Sequence, residues 1–366
     1  MSDYIGATRA ANLFSYLDDS IDAVLIVNAR MPFLDLNFLH LTDVDGGVFE
    51  SSYAVATREG VTIITSTLEE GIARRSGCKL IVCNTAKQME SALKRIMRNK
   101  RMIGMNLSGV SYNSMKGIRR NLKGAKFRDV SKQLGRARMI KTEDEIERIG
   151  KACRIASRVA DEIPEILKIG MTEKGIAAEI DYLGKSYGAD GAAFNTIASF
   201  GPATALPHYQ PGDRKLKKGS IALFDFGVLY RNYCSDITRT FLTKPINRSM
   251  ARIYEIVAEA QSAAIDSIRP RIRAKKVDLA ARNVIDEAGY GKQFIHSTGH
   301  GLGISEHDPG TIAEKSKDVL RENMVITVEP GIYLPGKGGV RIEDDILVTH
   351  SGNRSLTTAN KNLILI

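Results

Sequence analysis

Four carboxylates in the second half of the chain stand in segments that otherwise have the composition of apolar strands. Asp225 and Asp236 lie eleven residues apart in FDFGVLYRNYCSDITRTF, while Glu329 and Glu343 occur in VITVEPGIY and GVRIEDDILVT. Val, Ile, Thr, Tyr and Phe surround each acid, a pattern typical of short strands paired in hairpins. The sequence therefore predicts two hairpins, each carrying a pair of carboxylates.

The pairing predicted for the first hairpin would make its two aspartates repel each other unless another group compensates their charge. A two-residue turn at Tyr230 and Arg231 would place Asp225 directly opposite Asp236, and like charges at opposed positions destabilise a strand pair. Carboxylates among apolar residues are also costly unless they are compensated. Arginines occur nearby, at positions 239 and 341, but two cations cannot neutralise four acids.

A histidine-rich segment, HSTGHGLGISEHDPG, follows the first hairpin. It places three of the six histidines of the chain within twelve positions, and glycines flank the middle one. The histidines are His296, His300 and His307, and the glycines are Gly299, Gly301 and Gly303. Glycine permits tight or positive-φ backbone geometry close to a ligand. A fourth histidine, His208, stands in the loop-like stretch GPATALPHYQPGD just before the first hairpin.

Together, the four acids and the middle histidine have the composition of a metal site rich in oxygen ligands. Asp225, Asp236, His300, Glu329 and Glu343 would carry four negative charges, which balance two divalent cations. This donor set favours hard ions such as Mn²⁺, with Co²⁺ and Zn²⁺ as substitutes, over thiolate sites. Two metal ions about 3.5–4 Å apart are used for metal-assisted hydrolysis. Shared coordination would also turn the repulsion between the opposed aspartates into an attraction to the cations.

The composition of the chain limits the other possibilities. At 366 residues the chain exceeds one ordinary core, and 43% hydrophobic with 26% charged residues is typical of globular proteins. No apolar run reaches the length of a membrane helix, and the start lacks the pattern of a secretory signal. The four cysteines form no regular framework, which favours a reducing cytoplasm. The net charge of +10 comes without an aromatic stacking platform, so we expect solvated basic faces rather than nucleic-acid binding.

The order of elements predicts an α+β protein of two domains. Residues 1–130 alternate strands with helices, as in a small α/β domain, and residues 131–366 form a second domain. A capping box at Thr142 and Glu145 marks the start of a long helix early in the second domain. Within this domain, segments 169–189 and 272–291 resemble each other, and each precedes one acidic hairpin. We therefore expect an internal duplication with pseudo-twofold symmetry.

At this point the sequence resembles a known family. The blocks KTEDEIERI, GPATALPHY, FDFGVLYRNYCSDITRTF, TGHGLGISEHDPG and VEPGIYLPGKGGVRIEDD are similar, in order and spacing, to the pita-bread metallopeptidases. This family includes prolidase, aminopeptidase P and methionine aminopeptidase. The likeness is close over residues 141–366 and looser in the first domain, where NFLHLTDVDG resembles the amino-terminal domain of the prolidase and creatinase group. It implies a duplicated pita-bread catalytic domain after a creatinase-like domain.

The resemblance also implies a role for each candidate residue. It assigns metal binding to Asp225, Asp236, His300, Glu329 and Glu343, and the presence of all five argues against creatinase, which lacks the metal set. Catalytic roles fall to His208 and His307, which would contact the substrate and the developing oxyanion, and to Glu329, which would transfer a proton. Three further residues would line or support the site: His296, Tyr333 and Arg341. One departure is Asp308, where many prolidases carry glutamate after the histidine.

The activity implied by the resemblance is hydrolysis of the peptide bond that precedes proline. Prolidase, which cleaves Xaa-Pro dipeptides, is favoured by the compact chain; aminopeptidase P, which acts on longer peptides, shares every motif. Methionine aminopeptidase is disfavoured because it usually lacks the first domain. The resemblance further implies a homodimer. Two non-enzymatic alternatives stay open at this stage: a peptide-binding scaffold that retains the fold, and a nucleic-acid-binding protein.

Overall fold

A computed structural model describes residues 5–366, which divide into two compact units. The first unit ends at Arg138 and the second comprises Met139–Ile366. Helix Ser131–Met139 buries Leu134 and Ala137 in a core of the first unit. The sequence-based domain boundary at residue 130 stays a prediction. Among residues 5–366, none of the helices combines the length and the apolar character that a bilayer-spanning helix requires.

The first unit is built on a six-stranded mixed sheet. Strands β1 to β6 are Ala23–Val27, Tyr53–Thr57, Gly60–Ser66, Lys79–Cys83, Met102–Met105 and Lys126–Asp129. Their order in the sheet is β4-β3-β2-β1-β5-β6. Helices α1 to α6 are Ile5–Phe14, Leu36–Thr42, Glu70–Ala73, Ala86–Met97, Tyr112–Asn121 and Ser131–Met139.

Two apolar cores lie in the first unit, one containing residues of α1, α2 and α6 and the other residues of α4 and α5. Strands and helices alternate along this part of the chain, as the sequence predicted. Helix α4 begins at Ala86 because the side chain of Thr85 accepts a hydrogen bond from the backbone N–H of Gln88 and caps the helix.

The second unit contains four long helices and thirteen short strands. Helices α7 to α10 are Glu143–Ile166, Glu173–Ser186, Arg248–Ser267 and Ala274–Glu287. The first group of strands, β7 to β12, is Gly191–Ala192, Ile197–Phe200, Ile221–Phe226, Val228–Tyr230, Tyr233–Cys234 and Ile237–Leu242. The second group, β13 to β19, is Gly299–Gly301, Asp308–Ile312, Val325–Val328, Gly331–Leu334, Gly338–Arg341, Asp344–Val348 and Asn353–Ser355.

Helix α7 shows how the sequence sets one of these boundaries. The side chain of Thr142 accepts from the backbone of Glu145, and the Glu145 carboxylate accepts from the backbone of Thr142 at 2.8 Å. This is the predicted capping box, and it starts helix α7 at Glu143, separate from helix α6, which ends at Met139.

The second unit consists of two halves with the same order of elements. In the first half, α7 and α8 pack on strands β8, β9 and β12; in the second, α9 and α10 pack on β15 to β18. Helices α8 and α10 have fourteen residues each, and an isolated bridge joins the residue before each helix to a later loop, Thr172 to Lys215 and Arg273 to Val319. The expected duplication is thus visible as matched structure.

Candidate metal centre

The first acidic hairpin is formed by β9 to β12, and its register differs from the prediction. The turn is at Arg231 and Asn232, not at Tyr230 and Arg231, so Asp225 pairs with Thr238 instead of Asp236. Both turn residues have positive φ, 47° and 69°, as a two-residue hairpin turn of the primed type requires. A shift of two residues keeps every side chain on its own face of the sheet. The two aspartates therefore still share one face.

The opposed pair of acids occurs in the second hairpin instead. Val328 pairs with Asp344, and Gly331 pairs with Arg341. The register is the same on both sides of a short break, so the intervening Glu329 and Glu343 occupy opposed positions. The strand pairing is thus interrupted at Asp236 in the first hairpin and at Glu329 and Glu343 in the second, whereas Asp225 stays within the paired strands.

His300 is the central residue of strand β13, which lies between β14 and β15. A Cβ atom on Gly299 would come within 2.0 Å of the carbonyl oxygen of Thr327, and one on Gly301 within 2.2 Å of that of Pro309. Of the two geometries expected at these glycines, tight or positive-φ, the structure has the tight one, since neither adopts positive φ. Their role is to let three backbones approach closely around the histidine.

These elements bring the predicted ligands together. Donor atoms of Asp236, His300 and Glu343 all lie within 4.8 Å of one another. His300 Nε2 lies 3.2 Å from Glu329 Oε1 and 3.9 Å from Asp236 Oδ2. The grouping draws on both hairpins and on β13, so neither half of the second unit could form it alone.

Two carboxylate oxygens at this site are buried without a hydrogen-bond partner among the described residues: Asp225 Oδ1 and Asp236 Oδ1. A buried polar atom is almost always satisfied, because burial without a partner is costly. A bound cation is the simplest partner for carboxylate oxygens that face one another. The donor chemistry, acids with one imidazole, therefore fits divalent metal ions.

Electrostatics within the group support the same conclusion. Burial, and then the neighbouring carboxylates, raise the pKa of Asp236 and of Glu343 well above ordinary values. Burial is the largest single influence on Glu329 and acts to raise its pKa, but the hydrogen bond with His300 and the nearby charges of His300, His296 and Arg341 together lower it. The same contact raises the pKa of His300 despite burial. So many acids in one place need a cation to stay ionised together.

Behind the acids, a buried arginine joins three of the predicted site residues. Arg341 donates to Asp225 Oδ2 and, at 2.7 Å, to the hydroxyl of Tyr333. The Tyr333 hydroxyl lies 2.8 Å from Nε2 of His296, whose Nδ1 lies 2.8 Å from the carbonyl of Ser297. That carbonyl can only accept, so Nδ1 carries the proton and Nε2 accepts from Tyr333. Burial raises the pKa of Tyr333 to about 12 and lowers that of His296, which keeps both neutral.

A cavity of about 280 Å³ opens onto the ligand group. Asp225, Asp236 and His300 line it at one side, and His208 and His307 are among its other lining residues. The rings of His300 and His307 are 4.3 Å apart. Five of the remaining predicted residues are absent from the described lining: His296, Glu329, Tyr333, Arg341 and Glu343.

Sequence reasoning missed residues that support the ligands. Thr238 Oγ1 donates to Glu343 Oε2 at 2.6 Å and accepts from Arg341 Nε at 3.1 Å. Its position, two residues after Asp236 on the same strand face, was an available signal. Asp345 Oδ2 accepts from the backbone N–H of Asp236 at 2.9 Å. No local signal could have found this bond, since the partners lie 109 residues apart.

The fold and the site together define a metal-dependent hydrolase. Residues 147–350 match metallopeptidase family M24, and residues 15–140 match the Creatinase/Prolidase N-terminal domain. The chain belongs to metallopeptidase family M24. This confirms the pita-bread fold and the creatinase-like first domain that the sequence resemblance implied.

Individual relatives match over nearly the whole chain. The Xaa-Pro dipeptidase of Pyrococcus horikoshii is 37% identical over 97% of this chain and 98% of its own length. The solved structure of a Xaa-Pro dipeptidase from Bacillus anthracis has a TM-score of 0.91 at 30% identity, covering 99% of this chain and all of that one. An X-Pro aminopeptidase from Thermotoga maritima has a TM-score of 0.88 at 32% identity, over 95% of this chain and all of that one.

Proposed function

We propose that this protein is an Xaa-Pro dipeptidase, which hydrolyses the bond preceding proline in dipeptides. The observation that carries the proposal is the convergence of Asp236, His300 and Glu343 donor atoms beside a cavity of about 280 Å³. A cavity of this size suits a small substrate. The names of the Pyrococcus horikoshii and Bacillus anthracis relatives support the same activity.

Under this proposal, five residues hold two divalent cations: Asp225, Asp236, His300, Glu329 and Glu343. Manganese or cobalt suits a site with four carboxylates and one imidazole, and zinc is a possible substitute. When bound, the cations supply positive charge that acidifies water and polarises the scissile carbonyl. The unpartnered oxygens of Asp225 and Asp236 favour this assignment, because ligation would satisfy them.

The side chains of the chain itself perform the proton transfers. Glu329 has a lowered pKa, so it is ionised near neutral pH and can accept a proton from the attacking water. It then delivers that proton to the leaving nitrogen of proline. His307 has a pKa lowered by burial and by His300, so it is neutral and can donate an N–H hydrogen bond to the developing oxyanion. His208, on the same cavity, would share this role.

Aminopeptidase P activity on longer peptides is the second candidate, favoured by the similarity to the Thermotoga maritima X-Pro aminopeptidase. Rates on Ala-Pro and Ala-Pro-Gly-Gly, with and without added Mn²⁺, distinguish the two activities. The dipeptidase proposal expects the higher kcat/KM on Ala-Pro and dependence on the metal. A preference for the tetrapeptide would replace it with the aminopeptidase, and hydrolysis that persists after chelation would contradict the metal-based mechanism.

The proposal extends to the cellular setting. The four cysteines are free thiols, three of them buried, which suits a reducing compartment such as the cytoplasm. We further propose a homodimer, on the family resemblance. Sedimentation equilibrium at micromolar protein would show a mass near twice 40.1 kDa, whereas the monomer mass would contradict the dimer.

A further inference from the structure

Glu306 is a carboxylate on the cavity wall without a strong cation beside it. It lines the same cavity as Asp225, Asp236 and His300. Its closest described basic group is His307 Nδ1, 4.0 Å from Oε1, and its other oxygen accepts from the hydroxyl of Ser305 at 3.3 Å. The imidazole is not a strong partner, since 4.0 Å is beyond hydrogen-bond distance and the His307 side chain is 69% exposed.

The rest of the cavity leaves this charge facing the substrate. Its thirteen described lining residues include three acids, Asp225, Asp236 and Glu306, but neither lysine nor arginine. Asp225 also binds Arg341, and Asp236 belongs to the ligand group. Glu306 is outside that group, so metal binding would not neutralise it. Three histidines also line the cavity, and the other seven described lining residues, which include Phe194 and Gln210, offer no positive charge.

We propose that Glu306 selects substrates by charge, favouring a cationic side chain at the residue before proline and disfavouring an acidic one. The inference rests on the proposed Xaa-Pro activity and names the substrate class of that site. The α-ammonium group is a less suitable partner, because it is two bonds from the scissile carbonyl and must lie beside the metal ligands. A lysine or arginine side chain can reach farther along the wall.

The size of the effect follows from the exposure of the group. The side chain of Glu306 is 35% exposed, so solvent screens its charge. A partly exposed charge pair changes an equilibrium by about threefold. Lys-Pro and Glu-Pro differ by two charges, so we expect their kcat/KM values to differ by about tenfold in favour of Lys-Pro.

The test compares Lys-Pro, Met-Pro and Glu-Pro as substrates of the wild type, Glu306→Gln and Glu314→Gln. Glu314 is an exposed glutamate eight residues along the chain and outside the described cavity lining, so its variant is the matched control. We expect the Lys-Pro to Glu-Pro ratio to fall close to one in Glu306→Gln and to stay at about ten in Glu314→Gln. Added 0.5 M NaCl should reduce the wild-type ratio, since salt screens partly exposed charges.

Two results would overturn the inference. One is a ratio that Glu306→Gln leaves unchanged; the other is an equal loss on all three substrates, which would mean that Glu306 contacts a group common to all dipeptides. Failure of the proposed function looks different, because the wild type would then hydrolyse none of the three. In that case Lys-Pro-Gly-Gly and Glu-Pro-Gly-Gly replace them, and the same ratio decides whether Glu306 selects by charge.

Discussion

Glu343 and Asp344 are adjacent acids in the second hairpin, both almost fully buried, yet their surroundings differ completely. Asp344 Oδ1 accepts from Arg239 at 2.8 Å and from Thr357 at 2.9 Å; Oδ2 accepts from Gln261 at 3.0 Å and lies 3.0 Å from the ammonium of Lys361. Both of its oxygens are saturated by cations and donors of the protein.

Glu343, one residue earlier, has its donor oxygen beside those of Asp236 and the imidazole of His300, and among the described residues Thr238 is the hydrogen-bond donor to its carboxylate. It shares its region with Asp236, whose Oδ1 has no described partner. Adjacent residues of a strand point to opposite faces, so one face carries structural ion pairing and the other the candidate metal centre. The comparison teaches that burial of a carboxylate does not by itself identify a metal ligand, because a buried acid can be satisfied by donors of the protein, as Asp344 is, or can join a group of potential ligands, as Glu343 does.

The largest effect should come from Asp236→Asn. We expect kcat/KM on Ala-Pro to fall by at least about a thousandfold, since the bound cations supply several kcal/mol of transition-state stabilisation. Calorimetric titration with Mn²⁺ should show weakened binding. The thermal stability of the metal-free protein should not decrease, because the variant removes an unsatisfied buried acid. Activity close to that of the wild type would remove Asp236 from the ligand set.

Asp344→Ala tests the other face of the same strand. It leaves the buried guanidinium of Arg239 without its carboxylate, so we expect the free energy of unfolding to fall by about 3–5 kcal/mol. Denaturant titration of the metal-free protein measures this change. A variant as stable as the wild type would contradict the conclusion that Asp344 stabilises the fold through its ion pair with Arg239. It would also weaken the distinction between a structural face and a metal-binding face of the strand.

Thr238→Val should produce an intermediate effect. The change removes the hydroxyl that holds Glu343 Oε2 at 2.6 Å, and loss of such a supporting bond weakens metal affinity by about 10- to 100-fold. The matched control is Thr240→Val on the same strand, whose hydroxyl donates to the carbonyl of Arg341 at 2.8 Å and contacts none of the ligands. Equal metal affinities for the two variants would show that the Thr238 bond does not position Glu343.

The smallest effect concerns pH. Burial raises the pKa of Asp236 and of Glu343 above 3.8 and 4.5, their ordinary values, so the folded metal-free protein binds their protons more tightly than the unfolded chain. At a pH below the ordinary pKa values, these two groups contribute their full stabilisation of the folded state. That stabilisation is lost as the pH rises through their higher pKa values in the folded protein. The melting temperature gained on adding Mn²⁺ should therefore be larger at pH 8 than at pH 5.

Differential scanning fluorimetry with and without Mn²⁺ measures this difference, and Asp236→Asn is the control in which it should shrink. A gain that is larger at pH 5 would contradict the raised pKa values. The comparison between wild type and variant separates the contribution of Asp236 from those of the other groups that titrate over the same range.

The type and approximate position of the elements could be predicted from the sequence, and so could the grouping of the acids with His300. The hairpin register could not, because it depends on Arg231 and Asn232 both adopting positive φ, which the residue types only weakly favour. The alternation of faces along a strand is insensitive to a shift of two residues, so the prediction that Asp225 and Asp236 act together did not depend on the register.

Contacts between distant segments were beyond the reach of local patterns. Asp345 accepts from the backbone of Asp236 and from the thiol of Cys153, a residue of helix α7 that lies 192 positions away. The charge environment of Glu306 could not be predicted from local patterns either, because it depends on which residues from other parts of the chain line the cavity. Such features appear only when the three-dimensional arrangement is known.

The ligand group draws on both halves of the second unit, and this has a consequence for kinetics. A cation that contacts the aspartates of one half and the histidine and glutamates of the other has high affinity only after the halves have joined. Metal ions should then slow the separation of the halves much more than they speed their association. Once loaded, the protein would resist unfolding for longer than its equilibrium stability without the ions would suggest.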